Sequence, residues 1–364
     1  MLKLRGNALA ASSLSKLRIL PRPRGNRGRR VRPARAVKFT ARSALFNTKN
    51  MTLNSTKSAF IFPGQGSQFV GMGKTLAQVF PLANETFAKA DQELGLSLTK
   101  LAWDGPEEDL HDTINTQPAL LAHSIATLRV LNLLHPDLCP SYVAGHSMGE
   151  FSALVAAGSL SYSDALHLVR IRGNLMKAAG EEAPGGMAAI LGLDIKTLEK
   201  ICIESSSKFE SVQVANDNCP GQVVISGSNP ALDRAMDLAS EVGARKVVRL
   251  KVSIAAHSKL MGHAQTKFNY AVDDVNISDP TLPVIGNVSA DFLKDANQVR
   301  NDLKAQLHSR VRWTETIQFM ISKGVKSFYE LGSGFVLTGL LRRIDRNVEG
   351  IALGSPEDFE KLTA

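Results

Sequence analysis

A glycine-flanked junction, Gly145-His146-Ser147-Met148-Gly149, fixes the fold class of this chain. It joins a short apolar run, Tyr142 to Gly145, to a helical stretch from Met148 to about Ala157. A chain that leaves a strand and enters a helix around one residue brings neighbouring backbones so close that a side chain at either flanking position would collide. The same unit opens the ordered pattern: the apolar run Ala59 to Phe62, a Gly-rich turn, then a helical stretch from about Lys74 to Leu94. A second helix reads from Pro118 to Leu134, and Ser163 reads as the N-cap of another that ends near Ala179 before the Ala-Pro-Gly-Gly stretch at 183 to 186. Alternating strands and helices predict an α/β domain built on a parallel sheet.

The rhythm changes over 187 to 252. Strand (Met187 to Leu193), helix (Ile195 to Ser205), strand (Val212 to Ala215), strand (Gln222 to Ser226), helix (Ala231 to Val242) and strand (Lys246 to Val252) follow one another. That βαββαβ order is the ferredoxin-like split motif. The αβ pattern resumes with Leu282 to Gly286, a helix over Asn297 to Leu307 and a strand over Lys326 to Leu331. The expectation is therefore a doubly wound main domain over 57–183 and 253–364, interrupted by a small subdomain at 184–252, with a cleft between them.

Charge sorts the partners. Residues 1–56 hold 14 Lys and Arg and no acid, whereas the rest carries 29 basic against 34 acidic residues, so the basic character belongs to the tail. A nucleic-acid-binding body is excluded on that ground. The tail, Arg-rich with Leu14, Leu17 and Leu20 at helical spacing, reads either as an organellar presequence for mitochondrion or plastid, or as upstream sequence with Met51 as the effective start. In Pro21 to Arg35 twelve of fifteen residues are Arg, Pro or Gly, a helix-breaking composition that tilts towards Met51 and a cytoplasmic protein. Cys139, Cys202 and Cys219 are far apart without C-x-x-C, which argues against a disulfide scaffold or a thiolate zinc site. No apolar run reaches membrane-spanning length and no His pair has i, i+4 spacing with a third ligand nearby, so neither membrane nor metal is expected.

The junction has the G-x-S-x-G form and context of a nucleophile elbow, with Ser147 exposed at the turn and the Met148 N–H placed for a developing oxyanion. Its base is open among eight histidines. His146 diverges on the tight turn, and His257, in Val252-Ser253-Ile254-Ala255-Ala256-His257, follows the last strand of the inserted segment. The turn Phe62-Pro63-Gly64-Gln65-Gly66-Ser67-Gln68 fails as a nucleotide loop, since Gln68 and Phe69 stand where glycines are required, but its backbone N–H groups suit a second oxyanion donor. Arg172 falls inside the apolar stripe Leu168, Val169, Leu175, Met176, whereas Arg170 does not. A guanidinium on a core face needs an anion: an internal acid such as Glu150, or a substrate carboxylate.

With F-P-G-Q-G-S-Q at 62–68, G-H-S-M-G-E at 145–150, R-I-R-G at 170–173, P-G-Q-V-V-I-S-G at 220–227 and V-S-I-A-A-H at 252–257, the chain resembles the malonyl-CoA:acyl carrier protein transacylase family in its free-standing form, from about Ser58 to Leu353. The resemblance implies an α/β-hydrolase-like core with a ferredoxin-like insert. It implies that Ser147 carries the malonyl ester, His257 is base and then acid, Arg172 holds the malonyl carboxylate, and the N–H groups of Gln65 and Met148 form the oxyanion hole. Gln306 matches a glutamine whose main-chain carbonyl orients the histidine, making a dyad without a triad acid. The substrates implied are malonyl-CoA and phosphopantetheinylated acyl carrier protein, with no bound cofactor, a monomeric enzyme, and a role in fatty acid synthesis. The acidic carrier would need a local basic patch, Arg342, Arg343 and Arg346 or Arg245, Lys246 and Lys251. Two departures, Ala255-Ala256 for the Pro-Ser of many relatives and Ser309-Arg310 for Asn-Pro, leave acyl selectivity, methylmalonyl included, less fixed than the reaction type.

Overall fold

The computed structural model describes residues 57–363. The basic stretch at 1–56, with its presequence and Met51 readings, lies outside the described residues. Strand β1 (Lys57–Phe62) is buried from its second residue onward, as a central strand covered on both faces must be. The helix expected over Lys74 to Leu94 is in fact two, α1 (Lys74–Val79) and α2 (Pro81–Leu94). Phe80 is extended (φ −113°, ψ 110°) between them, because the Pro81 ring excludes the helical region for the residue before it.

After α3 (Leu98–Asp104) and α4 (Glu107–His111) comes the core helix α5 (Thr113–Leu134). It starts five residues before the expected Pro118, capped by Asp112, whose side chain accepts the Ile114 N–H. Pro118 sits inside the helix and cannot donate to the Ile114 carbonyl four residues back. Arg170 makes up the loss: its Nη1 donates to that carbonyl at 2.9 Å.

β2 (Tyr142–Gly145), α6 (Gly149–Ala156) and α7 (Tyr162–Glu182) follow. The cap of α7 is Ser161 rather than Ser163: Ser161 Oγ accepts the Asp164 N–H while donating to the Asp164 carboxylate, a reciprocal arrangement that Ser163 has no acid in place to make. Next come β3 (Gly185–Leu191), α8 (Ile195–Ser205), β4 (Val212–Cys219), β5 (Gln222–Ser228), α9 (Asn229–Glu241) and β6 (Lys246–Arg249). The chain closes with α10 (Gly262–Asp274), β7 (Val284–Ile285), β8 (Phe292–Leu293), α11 (Ala296–Gln306), α12 (Trp313–Ser322), β9 (Val325–Leu331), α13 (Val336–Ile344), β10 (Glu349–Leu353) and α14 (Pro356–Thr363).

Among the described residues the strands form two sheets. The six-stranded one runs β10-β9-β1-β2-β7-β8, parallel except for the β7–β8 pair. Alternation along β1 sends Ala59 and Ile61 to a core with Trp313, Ile317 and Leu341 of α12 and α13, and Phe60 and Phe62 to a larger core with α5, α6 and α7. Helices therefore cover both faces, the α/β arrangement expected. The four-stranded sheet, β4-β5-β3-β6, is antiparallel. α8 and α9 pack on one of its faces. At its β4 edge it meets the rest of the chain through Val311, which exchanges backbone hydrogen bonds with Ala215 and Asp217 of β4.

Candidate active site

Three neighbouring parallel strands end at one place. Gln65 follows β1, Ser147 follows β2 and Asn287 follows β7, so the site lies beyond the carboxyl ends of the sheet, where open α/β sheets place ligands. Ser147 has φ 52°, a left-handed conformation costing about 1–3 kcal/mol for a non-glycine residue. Packing leaves no alternative. A methyl group at Gly145 would overlap the Gly149 carbonyl, and one at Gly149 would overlap the Phe62 carbonyl oxygen. Asn287, 1% exposed, braces the turn from beneath: its Oδ1 accepts the Ser147 N–H at 2.7 Å and its Nδ2 donates to Gly145 O at 2.7 Å.

His257 reaches this serine from 110 residues away, its Nε2 2.8 Å from Ser147 Oγ. Its Nδ1–H donates to the carbonyls of Gln306 (2.9 Å) and Ser309 (3.1 Å), which leaves Nε2 as the acceptor and puts no carboxylate behind the ring. The loop bearing it is held by the second sheet: Gln213 of β4 donates to the His257 and His308 carbonyls, both at 3.1 Å. Burial first, and the Arg172 charge second, pull the His257 imidazole down to about 3, so it is neutral at neutral pH. His146 turns away, as its place on the turn predicts. Its Nε2–H donates to Asn218 Oδ1 at 2.8 Å and its ring meets Trp313 edge-on.

Arg172, on α7, is 1% exposed. Its Nη1 donates to Gln117 Oε1 at 2.8 Å, and its Nη2 to Gln306 Oε1 at 3.0 Å and Ser147 Oγ at 3.1 Å. Among the described residues no carboxylate lies within the 4.0 Å of an ion pair, and Nε has no partner. Burial lowers its pKa to about 10, which still leaves a cation. Glu150, the internal acid weighed as its partner, bonds Gln306 Nε2 instead. Gln306, the last residue of α11, uses both ends, its carbonyl on His257 and its side chain between Arg172 and the Ser147 carbonyl.

The Gln65 side chain accepts from Thr113 Oγ1 at 2.8 Å, and Thr113 in turn accepts from Gln117, linking the 63–68 turn to the guanidinium. Among the described residues the backbone N–H groups of Gln65 and Met148 have no acceptor. Thus Ser147, His257, Arg172 and Gln306 are brought into direct contact, Met148 flanks them and Gln65 joins through two side chains. Sequence reasoning missed Gln117 and Asn287. The available signal for Gln117 was its place directly before the apolar run Pro118 to Ala122 of α5; nothing in the pattern singled out Asn287.

The family comparison matches residues 59–351 to the acyl transferase domain, so the chain belongs to that family and is an acyltransferase. Within it the chain groups with the malonyl CoA-acyl carrier protein transacylases. It is 44% identical over 305 residues to the one from Bacillus subtilis (strain 168), covering 84% of this chain and 96% of that protein. The crystal structure of malonyl-CoA:acyl carrier protein transacylase from Xanthomonas oryzae pv. oryzae matches with a TM-score of 0.81 at 41% identity, over 84% of this chain and 97% of that one. A malonyl-transacylase solved in complex with its type II polyketide acyl-carrier protein matches at a TM-score of 0.81 and 40% identity, over 84% and 98%.

Proposed function

We propose that this acyltransferase moves the malonyl group of malonyl-CoA to the phosphopantetheine thiol of an acyl carrier protein through a malonyl ester on Ser147, supplying the carrier-bound unit for fatty acid synthesis. The observation that carries the reading is Arg172: a buried guanidinium beside the Ser147 hydroxyl, without an internal acid, is a waiting partner for a substrate carboxylate. A diacid half-ester on Ser147 supplies that carboxylate, and a simple acyl group does not. We read 57–183 and 253–364 as an α/β-hydrolase-like main domain and 184–252 as a ferredoxin-like insert, a division supported by the antiparallel order β4-β5-β3-β6.

In the first half-reaction Ser147 Oγ attacks the thioester carbonyl while its proton passes to His257 Nε2. The carbonyl oxygen becomes an oxyanion, received by the Gln65 and Met148 N–H groups, each donor of this kind contributing about 3 kcal/mol. Collapse breaks the carbon–sulfur bond, and CoA leaves with the proton from His257. In the second half the carrier thiol gives its proton to His257 and attacks the serine ester, and the imidazolium returns the proton to Ser147 Oγ as the malonyl thioester departs. Gln306 and Ser309 hold the ring through its Nδ1–H in both halves. No cofactor is needed for either. The partners are malonyl-CoA and the carrier protein, with no nucleic acid or membrane involved and a monomer sufficient for the chemistry.

Radiolabelled malonyl-CoA mixed with the protein should leave one stable malonyl group per chain, released to holo carrier protein faster than to water, and Ser147→Ala should take up none. Full labelling of Ser147→Ala would refute the ester, and release to water at the rate of release to carrier would make the enzyme a hydrolase.

A further inference from the structure

Two acids beneath the site take no part in the steps above. Glu150, at the second residue of α6, is wholly buried; its Oε2 accepts Gln306 Nε2–H at 2.7 Å and its Oε1 has no donor. Asp302 of α11, 7% exposed, is in hydrogen-bond contact with it. Two carboxylates are acceptors only, so contact between them requires a proton. Their other partners say which one holds it. Asp302 receives the N–H groups of Val288 (3.4 Å) and Ser289 (3.3 Å), two donors that suit the carboxylate form, and lines a shallow surface cavity with Gln298 and Asn301. Glu150 lies deeper, wholly buried, with the Gln306 amide on one oxygen.

We propose that Glu150 is a neutral acid whose Oε1–H donates to the Asp302 carboxylate, and that this neutrality keeps an interior counter-charge away from Arg172, reserving the guanidinium for the substrate carboxylate. The proposal rests on the reading of Arg172 given above. Gln306 is the spacer, accepting from the guanidinium with Oε1 and donating to the Glu150 carboxyl with Nε2. The charged groups facing Glu150 are Asp302 from α11 and Arg172 from α7. Burial, and then the Asp302 charge, push the Glu150 carboxyl well above the carboxylate range. An ionised Glu150 would compete with the incoming carboxylate for Arg172, because an opposite charge within a few ångströms stabilises the cation already at rest. Glu150 and Asp302 are thus positioning residues that act through Gln306 and Arg172.

The test needs a neutral isostere and a variant that forces ionisation. Glu150→Gln retains a donor to Asp302 and an acceptor for Gln306, and should keep the KM for malonyl-CoA within about twofold. Asp302→Asn presents an N–H to Glu150, which then ionises; the KM for malonyl-CoA should rise about tenfold, with kcat/KM for acetyl-CoA, which has no carboxylate, changing far less. Combining the two substitutions should restore the malonyl-CoA KM, a rescue that mere disruption of packing would not give. Independently of activity, the free enzyme should show the infrared stretch of a buried protonated carboxyl, absent in Glu150→Gln. No such band, or a KM raised equally in Asp302→Asn and the double variant, would overturn the proposal. A band present alongside an unchanged malonyl preference in Arg172→Ala would keep the shared proton and overturn the carboxylate site.

Discussion

Ser147, His257 and Arg172 differ in how the fold makes each of them useful. The serine is strained, the histidine is dry and, among the described residues, the arginine lacks a counter-ion. The dry imidazole has a kinetic signature. With its pKa lowered to about 3 by burial and by Arg172, His257 stays unprotonated far below the ordinary imidazole value of 6.5, so the base is available throughout that range. The profile of kcat/KM for malonyl-CoA against pH should accordingly run flat through pH 6.5; an inflection there would place the imidazole in water and contradict the geometry. Ser147 and Arg172 were legible because each carries a pattern, flanking glycines for the one and helical spacing inside an apolar stripe for the other, whereas His257 stood open among eight histidines until the family resemblance singled it out. Gln117 and Asn287 were not, since a buried amide has no spacing rule and its partners come from other parts of the chain.

At the scale of elements, the elbow depends on its neighbours. Asn287, two residues after the short strand β7, satisfies one donor and one acceptor of the turn, and removing its side chain leaves both buried backbone groups unpaired. Each orphaned group costs about 1–3 kcal/mol. Asn287→Ala should therefore unfold about 2–6 kcal/mol more easily in urea and form the malonyl ester more slowly, whereas an unchanged ester rate would show that the turn holds itself. Much of the element order was readable, but no helix was expected for α3, α4, α10, α12, α13 or α14, and the starts of α2, α5 and α7 were missed. Pro118 imitates a first helical residue, and only Arg170, from another helix, reveals how an internal proline is accommodated. Ser163 resembles a cap until the reciprocal bond between Ser161 and Asp164 is seen. Helix α13 carries a readable spacing in Leu337, Leu340 and Leu341, but its place against β9 and β10 could come only from the packed sheet.

For the molecule as a whole, the crossing of distant segments shows in its response to acid. His123 of α5 ties the chain after β9 and after β10 together, through Ser333 Oγ at 2.8 Å and Gly354 O at 2.9 Å. Burial lowers its pKa from 6.5 to about 4. A histidine depressed in this way binds a proton in the unfolded chain before the folded one. Its contribution to stability is full above pH 6.5 and is lost as pH falls towards 4, by about 1.4 kcal/mol per pH unit. His257 adds the same sign over 6.5 to about 3. The raised carboxyls of Glu150 and Glu330 act oppositely, so a comparison of variants isolates the histidine. His123→Gln should flatten the fall in unfolding free energy between neutral pH and the onset of acid denaturation, and a slope equal to that of the parent protein would mean His123 is not held neutral.

The most direct measurement of the central claim is kcat/KM for malonyl-CoA and for acetyl-CoA, with carrier protein as acceptor, in the parent enzyme and in Arg172→Ala. Losing one partner of a buried charge pair costs about 3–5 kcal/mol, so the malonyl value should fall some 10²–10⁴-fold while acetyl transfer holds or rises. Equal loss with both substrates would make Arg172 a packing residue and leave the site without its diacid selector.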